Sequence, residues 1–296
     1  MRALESVIVV AVLLAIPARL GAADAAMANL PPQTTAAYEA YVASAEAAFL
    51  TRVRSGQPVA QAAGAFTVGQ TTDGRIVKVP DGLVHHWRGT IHVPGVGLER
   101  VIATAQRYDA YPRMYDAVLQ ARLLDRDGDR FWVLTRLRGS AGGTTVVLEV
   151  RSVVRYEREA TAAYSIGASE DIHEVVAAGQ PDERLLPAGR NGGYLWRINT
   201  FTRFVERAGG VDVELETIGL SRRFPRMLGW LIEPIARRLG QRSVERTLTE
   251  FGLAVRDDLS TEPMPTAAGK DPAGLTPATP ISSSRTSRCD SGSGLG

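Results

Sequence analysis

The chain has 296 residues, and its 34 Lys and Arg against 32 Asp and Glu give a formal net charge of +2. Because the charge is nearly balanced and the arginines are dispersed, composition argues against nucleic acid as a partner. The single cysteine, Cys289, excludes an internal disulfide, so a hydrophobic core must hold the fold without covalent help.

Residues 1–25 have the pattern of a secretory signal peptide. Arg2 precedes an apolar run from Val7 to Ile16, and the small residues of Ala23-Asp-Ala25 form a cleavage site. The run is too short to cross a bilayer as a helix. We therefore expect a secreted or periplasmic protein, with an uncleaved anchor as the alternative.

Residues 26–70 are expected to form an N-terminal helix followed by a linker. An amphipathic helix from Thr34 to about Arg54 is predicted to pack outside the main domain. The Ala/Gly/Gln-rich stretch Ser55–Gln70 is interpreted as linker or irregular loop. At the other end, residues 260–296 are rich in Pro, Thr, Ser and Gly, which predicts a disordered tail.

Residues 71–259 are predicted to form the folded domain. A turn and a short strand are expected within Thr72–Val79, and the next strand, Leu83–Val93, is followed by a helix over Val96–Gln106. Asp127-Gly128 marks a hairpin turn. The further predicted strands are Ala117–Leu124, Phe131–Arg138, Thr144–Tyr156, Ala163–Val175, Tyr194–Phe204 and Val211–Ile218.

The last two strands are expected to form a hairpin about Gly209-Gly210, since glycines supply the positive φ of a tight turn. This register brings apolar groups together on one face and opposite charges together on the other. It pairs Arg203 with Glu216, Arg207 with Asp212 and Phe204 with Leu215.

A helix that packs on the sheet is predicted after the hairpin. Phe224–Ile232 is interpreted as a short first helix, interrupted at Glu233-Pro234 because proline disfavours helix for its predecessor. From Pro234 onward, apolar residues recur at roughly helical spacing. They are Ile235, Leu239, Val244, Leu248, Phe251 and Val255.

The predicted class is therefore α+β. A curved antiparallel sheet of about six to seven strands wraps around the long C-terminal helix, with an extra helix at the N-terminus and an apolar space between the sheet and the C-terminal helix. The sequence pattern thus indicates a container, without indicating what it holds.

The order of elements also resembles the START-like, or SRPBCC, superfamily with its helix-grip fold. The resembling runs are Val84-His-His-Trp-Arg-Gly89, Val93-Pro-Gly95, Arg122–Asp129, Gly193–Asn199, Gly209–Glu214 and Gly229–Ile232. Because members of the superfamily hold hydrophobic ligands between sheet and helix, the resemblance implies such a ligand here. Within the superfamily, the chain resembles more closely a group of exported bacterial proteins of unassigned function. In Ser169-Glu-Asp-Ile172, two acidic residues stand where the resemblance leads us to expect a neutral and a basic residue. Any role that the basic residue has in the superfamily is therefore in doubt for this chain.

Candidate cavity-lining residues follow from this architecture, since aromatic and apolar residues on a concave sheet face line ligand or core space. Core packing alone is the competing interpretation for each. Two polar residues, His173 and Arg197, could also point inward. The eight apolar and aromatic candidates are Trp87, Trp132, Tyr164, Trp196, Ile198, Phe204, Leu215 and Leu248.

The other motifs in the sequence are better explained by structural roles than by metal-binding or catalytic sites. His86 and His92 would share a strand face about 20 Å apart by strand rise, too far for one metal ion, so no metal is expected. Glu214 and Glu216 are interpreted as a salt-bridged outer face. The acidic run around Gly128 lacks the final glutamate of a calcium loop. The chain has no Gly-x-Ser-x-Gly elbow and no dinucleotide or phosphate-loop fingerprint.

Three functions remain open at this stage. The leading hypothesis is an exported, non-enzymatic protein that binds a hydrophobic or amphipathic, lipid-like molecule, with no cofactor, no nucleic-acid partner and peripheral contact with the cell envelope. The second is a polyketide-cyclase-type enzyme in which His173, or less favourably Arg197, acts in the same cavity. The third is an envelope interaction module with a filled core, for which no cavity above roughly 300 Å³ is expected.

Overall fold

The computed structural model describes residues 28–59, 66–70, 76–141, 144–223 and 229–257. The predicted signal peptide at 1–25, the predicted tail from 260 and Cys289 lie outside these ranges. Within them, no helix combines the length and the apolar character needed to cross a membrane.

Four helices and twelve strands make up the described part of the chain. The helices are α1 Pro32–Arg54, α2 Leu98–Ala105, α3 Tyr111–Met114 and α4 Gly229–Arg256, with a 3₁₀ turn at Tyr108–Ala110. The strands are β1 Ala28–Asn29, β2 Phe66–Gln70, β3 Val77–Val79, β4 Gly82–Pro94, β5 Val118–Asp127, β6 Arg130–Ala141, β7 Thr144–Arg158, β8 Ala162–Val176, β9 Arg184–Leu185, β10 Arg190–Asn191, β11 Arg197–Arg207 and β12 Gly210–Arg222.

The main sheet is antiparallel and runs in the order β2-β4-β12-β11-β8-β7-β6-β5, with β3 also paired to β4 and β9 to β8. It contains more strands than the six to seven expected. Part of the difference is β2, which lies within the stretch Ser55–Gln70 that was interpreted as linker. Pairing with β2 and β3 covers the edge of β4, which would otherwise expose unpaired backbone groups.

The β11–β12 hairpin differs from the predicted register by two residues. Arg207 pairs with Gly210, so Ala208 and Gly209 form the turn, and Gly209 supplies the positive φ of 89°. Phe204 lies opposite Val213 rather than Leu215. Since side chains alternate with a period of two, a shift of two residues leaves each one on its predicted face.

Both faces of the sheet carry a hydrophobic core. On one face, α2, α3 and α4 cover the cavity-side core, whose fully buried members include Val101, Ile102, Val211, Val244 and Val255. On the other face, α1 covers the α1-side core. Its main buried residues are Tyr38, Val42, Phe49, Val84, Trp196, Phe201, Ile218 and Leu220. The N-terminal helix, which was predicted to pack outside the main domain, is thus a full layer on the sheet.

A charged cluster lies buried beneath α1. Glu214 and Glu216 were interpreted as an outer face paired with Arg203 and Arg207, but both are covered, and Arg52 of α1 forms ion pairs with each. His86 Nε2 lies 2.6 Å from Glu216, and its Nδ1 lies 2.9 Å from the Tyr41 hydroxyl. Burial acts to raise the pKa of Glu216, but the hydrogen bond from His86 and the charge of Arg52 outweigh it and hold that pKa below its usual value.

The C-terminal helix is continuous, which corrects the predicted interruption at Glu233-Pro234. The α4 backbone is helical from Gly229 to Arg256. Pro234 lies near the start of the helix, where its missing N–H removes one backbone hydrogen bond from a helix of 28 residues. Farther along, α4 approaches the sheet closely where Gly240 meets the Trp87 indole.

Candidate functional site

A cavity of about 240 Å³ lies between the sheet and the helices of the cavity-side core. Its floor consists of strands β6, β7, β8, β11 and β12, and its roof of the α2–α3 segment and the last third of α4. The space predicted between the sheet and the C-terminal helix is therefore present in the structure.

Hydroxyl-bearing and apolar side chains line this cavity. No described residue of the lining is Asp, Glu, Lys, Arg or His. The hydroxyl-bearing residues are Tyr108, Tyr111, Tyr115, Thr135, Ser152, Tyr156, Ser165, Ser169, Thr200, Thr202 and Thr247. The apolar ones are Ala105, Val133, Val154, Ala168, Ile198, Phe204, Val213, Leu215, Leu248 and Phe251, with Gly167 between them.

Strand pairing aligns some of these hydroxyls in a row across the floor. Thr202 of β11 lies opposite Ser165 of β8, and Ser165 lies opposite Tyr156 of β7. Directly opposed residues on neighbouring antiparallel strands have Cβ atoms about 5 Å apart on the same face. Thr202, Ser165 and Tyr156 therefore form one continuous polar line, which we call the hydroxyl row.

The row continues into the roof through tyrosines. The Tyr156 hydroxyl donates to the carbonyl of Ala105 at 3.2 Å and lies 3.2 Å from the Tyr108 hydroxyl. The Tyr111 hydroxyl donates to the same carbonyl at 2.7 Å. Because Tyr156 uses its only proton on Ala105, Tyr108 is left as the donor to Tyr156, and the Tyr108 oxygen remains an acceptor.

These tyrosines remain neutral at physiological pH. Burial raises the pKa of Tyr108, Tyr111 and Tyr156 well above the usual phenol value, and the neighbouring tyrosines raise it further. Burial and the nearby Glu250 act in the same direction on the pKa of Tyr115. The phenols can therefore offer hydrogen bonds to a ligand, but they do not ionise in the cavity near neutral pH.

The floor hydroxyls have unused hydrogen-bonding capacity. Ser169 accepts the backbone N–H of Ile198 at 2.9 Å. The other floor hydroxyls make no side-chain hydrogen bond to a described residue; they belong to Thr135, Ser152, Ser165, Thr200 and Thr202. Polar groups shielded from bulk water are normally hydrogen-bonded. Water or a bound molecule must therefore satisfy them.

Four of the eight predicted lining residues are in the cavity wall. Ile198 and Phe204 contribute from β11, Leu215 from β12 and Leu248 from α4. The strand residues were placed by alternation alone, which the two-residue difference in register did not disturb. Leu248 followed from the helical spacing of α4.

The other four candidates lie elsewhere. Trp87 is on the cavity side of the sheet, but its indole is covered by Gly240 of α4. Trp132 falls between Phe131 and Val133, which point to the cavity side, so alternation turns it to the opposite face.

Tyr164 and Trp196 both belong to the α1-side core. The Tyr164 ring packs edge-on against Phe49 of α1, with 6.0 Å between ring centroids. Trp196 is almost fully buried and precedes β11, where its backbone N–H bonds to the carbonyl of Leu220. Alternation placed Trp196 on the face of Ile198, but β11 begins only at Arg197, so the alternation does not extend to Trp196. For Tyr164 the sequence could not choose, because both faces of the sheet are apolar.

The two polar candidates also lie outside the lining. The His173 Nδ1 is 2.8 Å from the carbonyl oxygen of Leu186, in the loop after β9. Arg197, at the start of β11, donates to the carbonyl of Trp196. Neither residue is among the described cavity residues.

The hydroxyl lining was missed at the sequence level, although a signal for it was present. In β11 the alternation Ile198, Thr200, Thr202, Phe204 puts two threonines in phase with two apolar residues that were assigned to the cavity. The roof tyrosines gave no such signal. They come from the irregular segment around α3, whose position depends on its packing over the sheet.

No other group of described residues has the composition of a binding centre. No cluster of three or more His, Cys, Asp or Glu in the described part of the chain could hold a metal ion. A larger depression of about 650 Å³ lies over β5, β6 and β7 near the loop after β8. Its Arg136 is already engaged by Glu149 and Glu183. Burial lowers the pKa of Arg136, but the hydrogen bonds and charges of the two glutamates together outweigh it and leave that pKa raised.

Comparisons with known proteins address the fold. No protein-family model matches the sequence, and none of the curated proteins matches it. Solved structures do match. The STAR-related lipid transfer protein from Xanthomonas axonopodis is 15% identical, with a TM-score of 0.42, and the match covers 65% of this chain and 99% of that one.

Two further structures are similar to a comparable degree. Human STARD10 is 8% identical with a TM-score of 0.42, covering 69% of this chain and 78% of its own. The Zhui aromatase/cyclase from Streptomyces sp. R1128 is 13% identical with a TM-score of 0.36, covering 59% and 93%. Since all three scores are below 0.5, the fold is assigned from the architecture itself.

The architecture is that of a helix grip. A curved antiparallel sheet holds the C-terminal helix α4 with a cavity between them, and α1 is an additional N-terminal helix. The predicted α+β class and the predicted sheet around a long C-terminal helix are thus confirmed.

Proposed function

We propose that the protein is an exported binding protein that holds a hydrophobic or amphipathic small molecule in the cavity between the sheet and α4. The cavity itself carries this proposal, because it lies where the helix-grip architecture separates sheet from helix and has both apolar and hydrogen-bonding walls. Such mixed lining is typical of small-molecule sites.

The size of the cavity limits the ligand. Its 240 Å³ is below the roughly 300 Å³ at the lower end of typical ligand pockets. A cavity of about 150 Å³ is nevertheless large enough to bind benzene. The cavity as it stands therefore suits a compact molecule rather than a diacyl lipid.

The two alternative functions have less support. A cyclase-type enzyme needs an acid or base beside its substrate, and the described lining offers only neutral tyrosines, threonines and serines. His173 and Arg197, which were the candidates for that role, are engaged with backbone carbonyls elsewhere. The 240 Å³ cavity meets the size limit of roughly 300 Å³ that was set for an envelope interaction module. What counts against that alternative is the set of floor hydroxyls without a hydrogen bond to a described residue.

Export is proposed from the sequence. Cleavage after Ala25 would leave α1, which starts at Pro32, intact. The mature N-terminus can be read by mass spectrometry of the protein from fractionated cells. A mature chain that starts near Ala26 in the exported fraction supports this part of the proposal, and an intact Met1 in the cytosol contradicts it.

Binding can be tested by native mass spectrometry of the mature protein purified from its own cell envelope, followed by denaturing extraction. We expect a bound small molecule that is released on unfolding. A Leu215→Phe variant, which fills the cavity wall, should lose this molecule. A matched Leu253→Phe variant, on the exposed side of α4, should keep it.

A folded wild-type protein without cargo would contradict the proposal if a panel of lipids and aromatic compounds also produced no thermal shift. That result would favour the interaction module. Circular dichroism of both Leu→Phe variants controls for loss of structure, since overpacking a core costs roughly 1–3 kcal/mol.

A further inference from the structure

The chemistry of the cavity wall restricts what the ligand can be. The described lining contains eleven hydroxyl-bearing residues and no side chain that is charged near neutral pH. An ion brought into such a site loses its hydration and meets no counter-ion, which is far more costly than burying a neutral polar group that is hydrogen-bonded. The wall thus selects against ionised headgroups.

The same wall also disfavours a pure hydrocarbon. Five floor hydroxyls, those of Thr135, Ser152, Ser165, Thr200 and Thr202, make no side-chain hydrogen bond to a described residue. A hydrocarbon that displaced water from them would leave them without partners, and each buried unsatisfied group costs roughly 1–3 kcal/mol. A ligand with its own donors or acceptors avoids this loss.

Local packing keeps the floor open at one of these hydroxyls. Gly167 of β8 lies opposite Thr200, and a Cβ at position 167 would be only 2.5 Å from the Thr200 Oγ1. Glycine therefore leaves room for the threonine hydroxyl above β8. Next to it, the hydroxyl row of Thr202, Ser165 and Tyr156 extends towards Tyr108 in the roof.

We infer that the ligand is an uncharged molecule of about two fused rings that carries hydroxyl, carbonyl or amide groups and binds along the hydroxyl row. This inference rests on the proposed function and narrows it. It disfavours free fatty acids and phospholipids bound with the carboxylate or phosphate inside the cavity, where that charge would lie among neutral hydroxyls.

Four naphthalene probes test the inference at pH 7.5, because they share one ring system. They are naphthalene, 2-naphthol, 2-naphthamide and 2-naphthoate, with affinities measured by isothermal titration calorimetry or intrinsic fluorescence. We expect 2-naphthamide to bind at least tenfold more tightly than the nearly isosteric 2-naphthoate, since only the carboxylate is charged. We expect 2-naphthol to bind up to about tenfold more tightly than naphthalene, the value of one net hydrogen bond.

Isosteric variants locate the polar contact. Thr202→Val removes one hydroxyl of the row and should weaken 2-naphthol binding about three- to tenfold while leaving naphthalene binding unchanged. Ser165→Ala should act in the same way. Thr161→Val makes the same change at an exposed position outside the cavity and should alter neither affinity.

The outcomes separate the inference from the proposed function. The inference is overturned if 2-naphthoate binds as tightly as 2-naphthamide. It is also overturned if the affinity for 2-naphthol does not change in either row variant. In both cases the proposed function, binding of a small molecule in the cavity, still stands. If no probe binds but envelope-purified protein carries cargo, the charge of that cargo decides: a neutral hydroxylated molecule supports the inference and an ionised one refutes it. If no probe binds and no cargo is found, the proposed function itself fails.

Discussion

His85 is an ionisable side chain that is buried in the described structure. It lies on β4, is 4% exposed, and has its Nε2 2.8 Å from the Ser221 hydroxyl. Its Nδ1 is buried without a partner among the described residues. Burial lowers the pKa of His85 to about 4, so the folded protein keeps this histidine neutral over most of the pH range.

This histidine predicts an acid-sensitive fold. An unfolded histidine titrates near pH 6.5, so between about pH 6.5 and 4 the unfolded chain binds more protons than the folded one. Stability is then fully present above pH 6.5 and falls as the pH decreases towards 4, by on the order of 3 kcal/mol from this group. Urea denaturation at pH 7.5, 6, 5 and 4.5 should show the loss.

A His85→Gln variant should lose most of this pH dependence, whatever its stability at pH 7.5. Ser221→Ala keeps the histidine and should retain the dependence. Equal slopes in His85→Gln and wild type would show that other groups control the acid response.

At the scale of elements, two glycines of α4 lie against the sheet with different amounts of space around them. A Cβ at Gly240 would be 2.3–2.5 Å from atoms of the Trp87 indole, a rigid ring fixed in the core. A Cβ at Gly252 would be 2.9 Å from the Ile91 Cδ1, the end of a flexible side chain that can turn away. The sheet and helix thus approach most tightly at Trp87.

Only Gly240→Ala, and not Gly252→Ala, should consequently destabilise the protein. Helix propensity alone favours alanine by about 1 kcal/mol at both positions. At Gly240 the clash with Trp87 should outweigh that gain and give a net loss of roughly 1–3 kcal/mol. At Gly252 the stability should stay the same or rise, as measured by urea denaturation.

A Trp87→Leu change should relieve the clash, so its effect combined with Gly240→Ala should be smaller than the sum of the two single effects. Stabilisation by Gly240→Ala alone would mean that α4 does not approach the sheet at Trp87 as closely as described.

For the whole molecule, the decisive feature is that two cores share the same strands. β4, β11 and β12 contribute Trp87, Phe204 and Val213 to the cavity-side core, and Val84, Phe201 and Ile218 to the α1-side core. Loss of one core removes the packing from the back of the other. The described domain should therefore unfold as one cooperative unit, including α1.

Phe49→Ala tests this cooperativity. The Phe49 side chain is fully buried under the sheet and stacks on Phe201, with 5.3 Å between centroids, so its truncation should cost roughly 3–5 kcal/mol. Far-UV circular dichroism and tryptophan fluorescence should give the same lowered midpoint. Ser44→Ala, on the exposed side of α1, is the control and should change stability by less than about 0.5 kcal/mol.

Hydrogen exchange distinguishes the alternatives in that variant. Amides of β11 and β12 should lose as much protection as those of α1. Loss confined to α1 would show that the N-terminal helix is a separate unit that can detach from the sheet.

Much of this arrangement could be predicted from the sequence because it depends on local patterns. Alternation with a period of two assigned Ile198, Phe204 and Leu215 to one face of the sheet. This assignment is correct although the hairpin register differs from the predicted one by two residues. Helical spacing identified α1 and assigned Leu248 to the buried side of α4. These signals, with the resemblance to the helix-grip fold, indicated a sheet, a helix and a space between them.

Only the tertiary structure decided which aromatic residues belong to that space and what else lines it. Alternation separates the two faces of a strand but does not say what covers each one, and here α1 buries the opposite face as thoroughly as α4 buries the first. Tyr164 and Trp196 therefore joined the α1-side core, and Trp87 was covered by Gly240. The hydroxyl row exists only because three strands pair in one register, a long-range arrangement that local patterns do not determine.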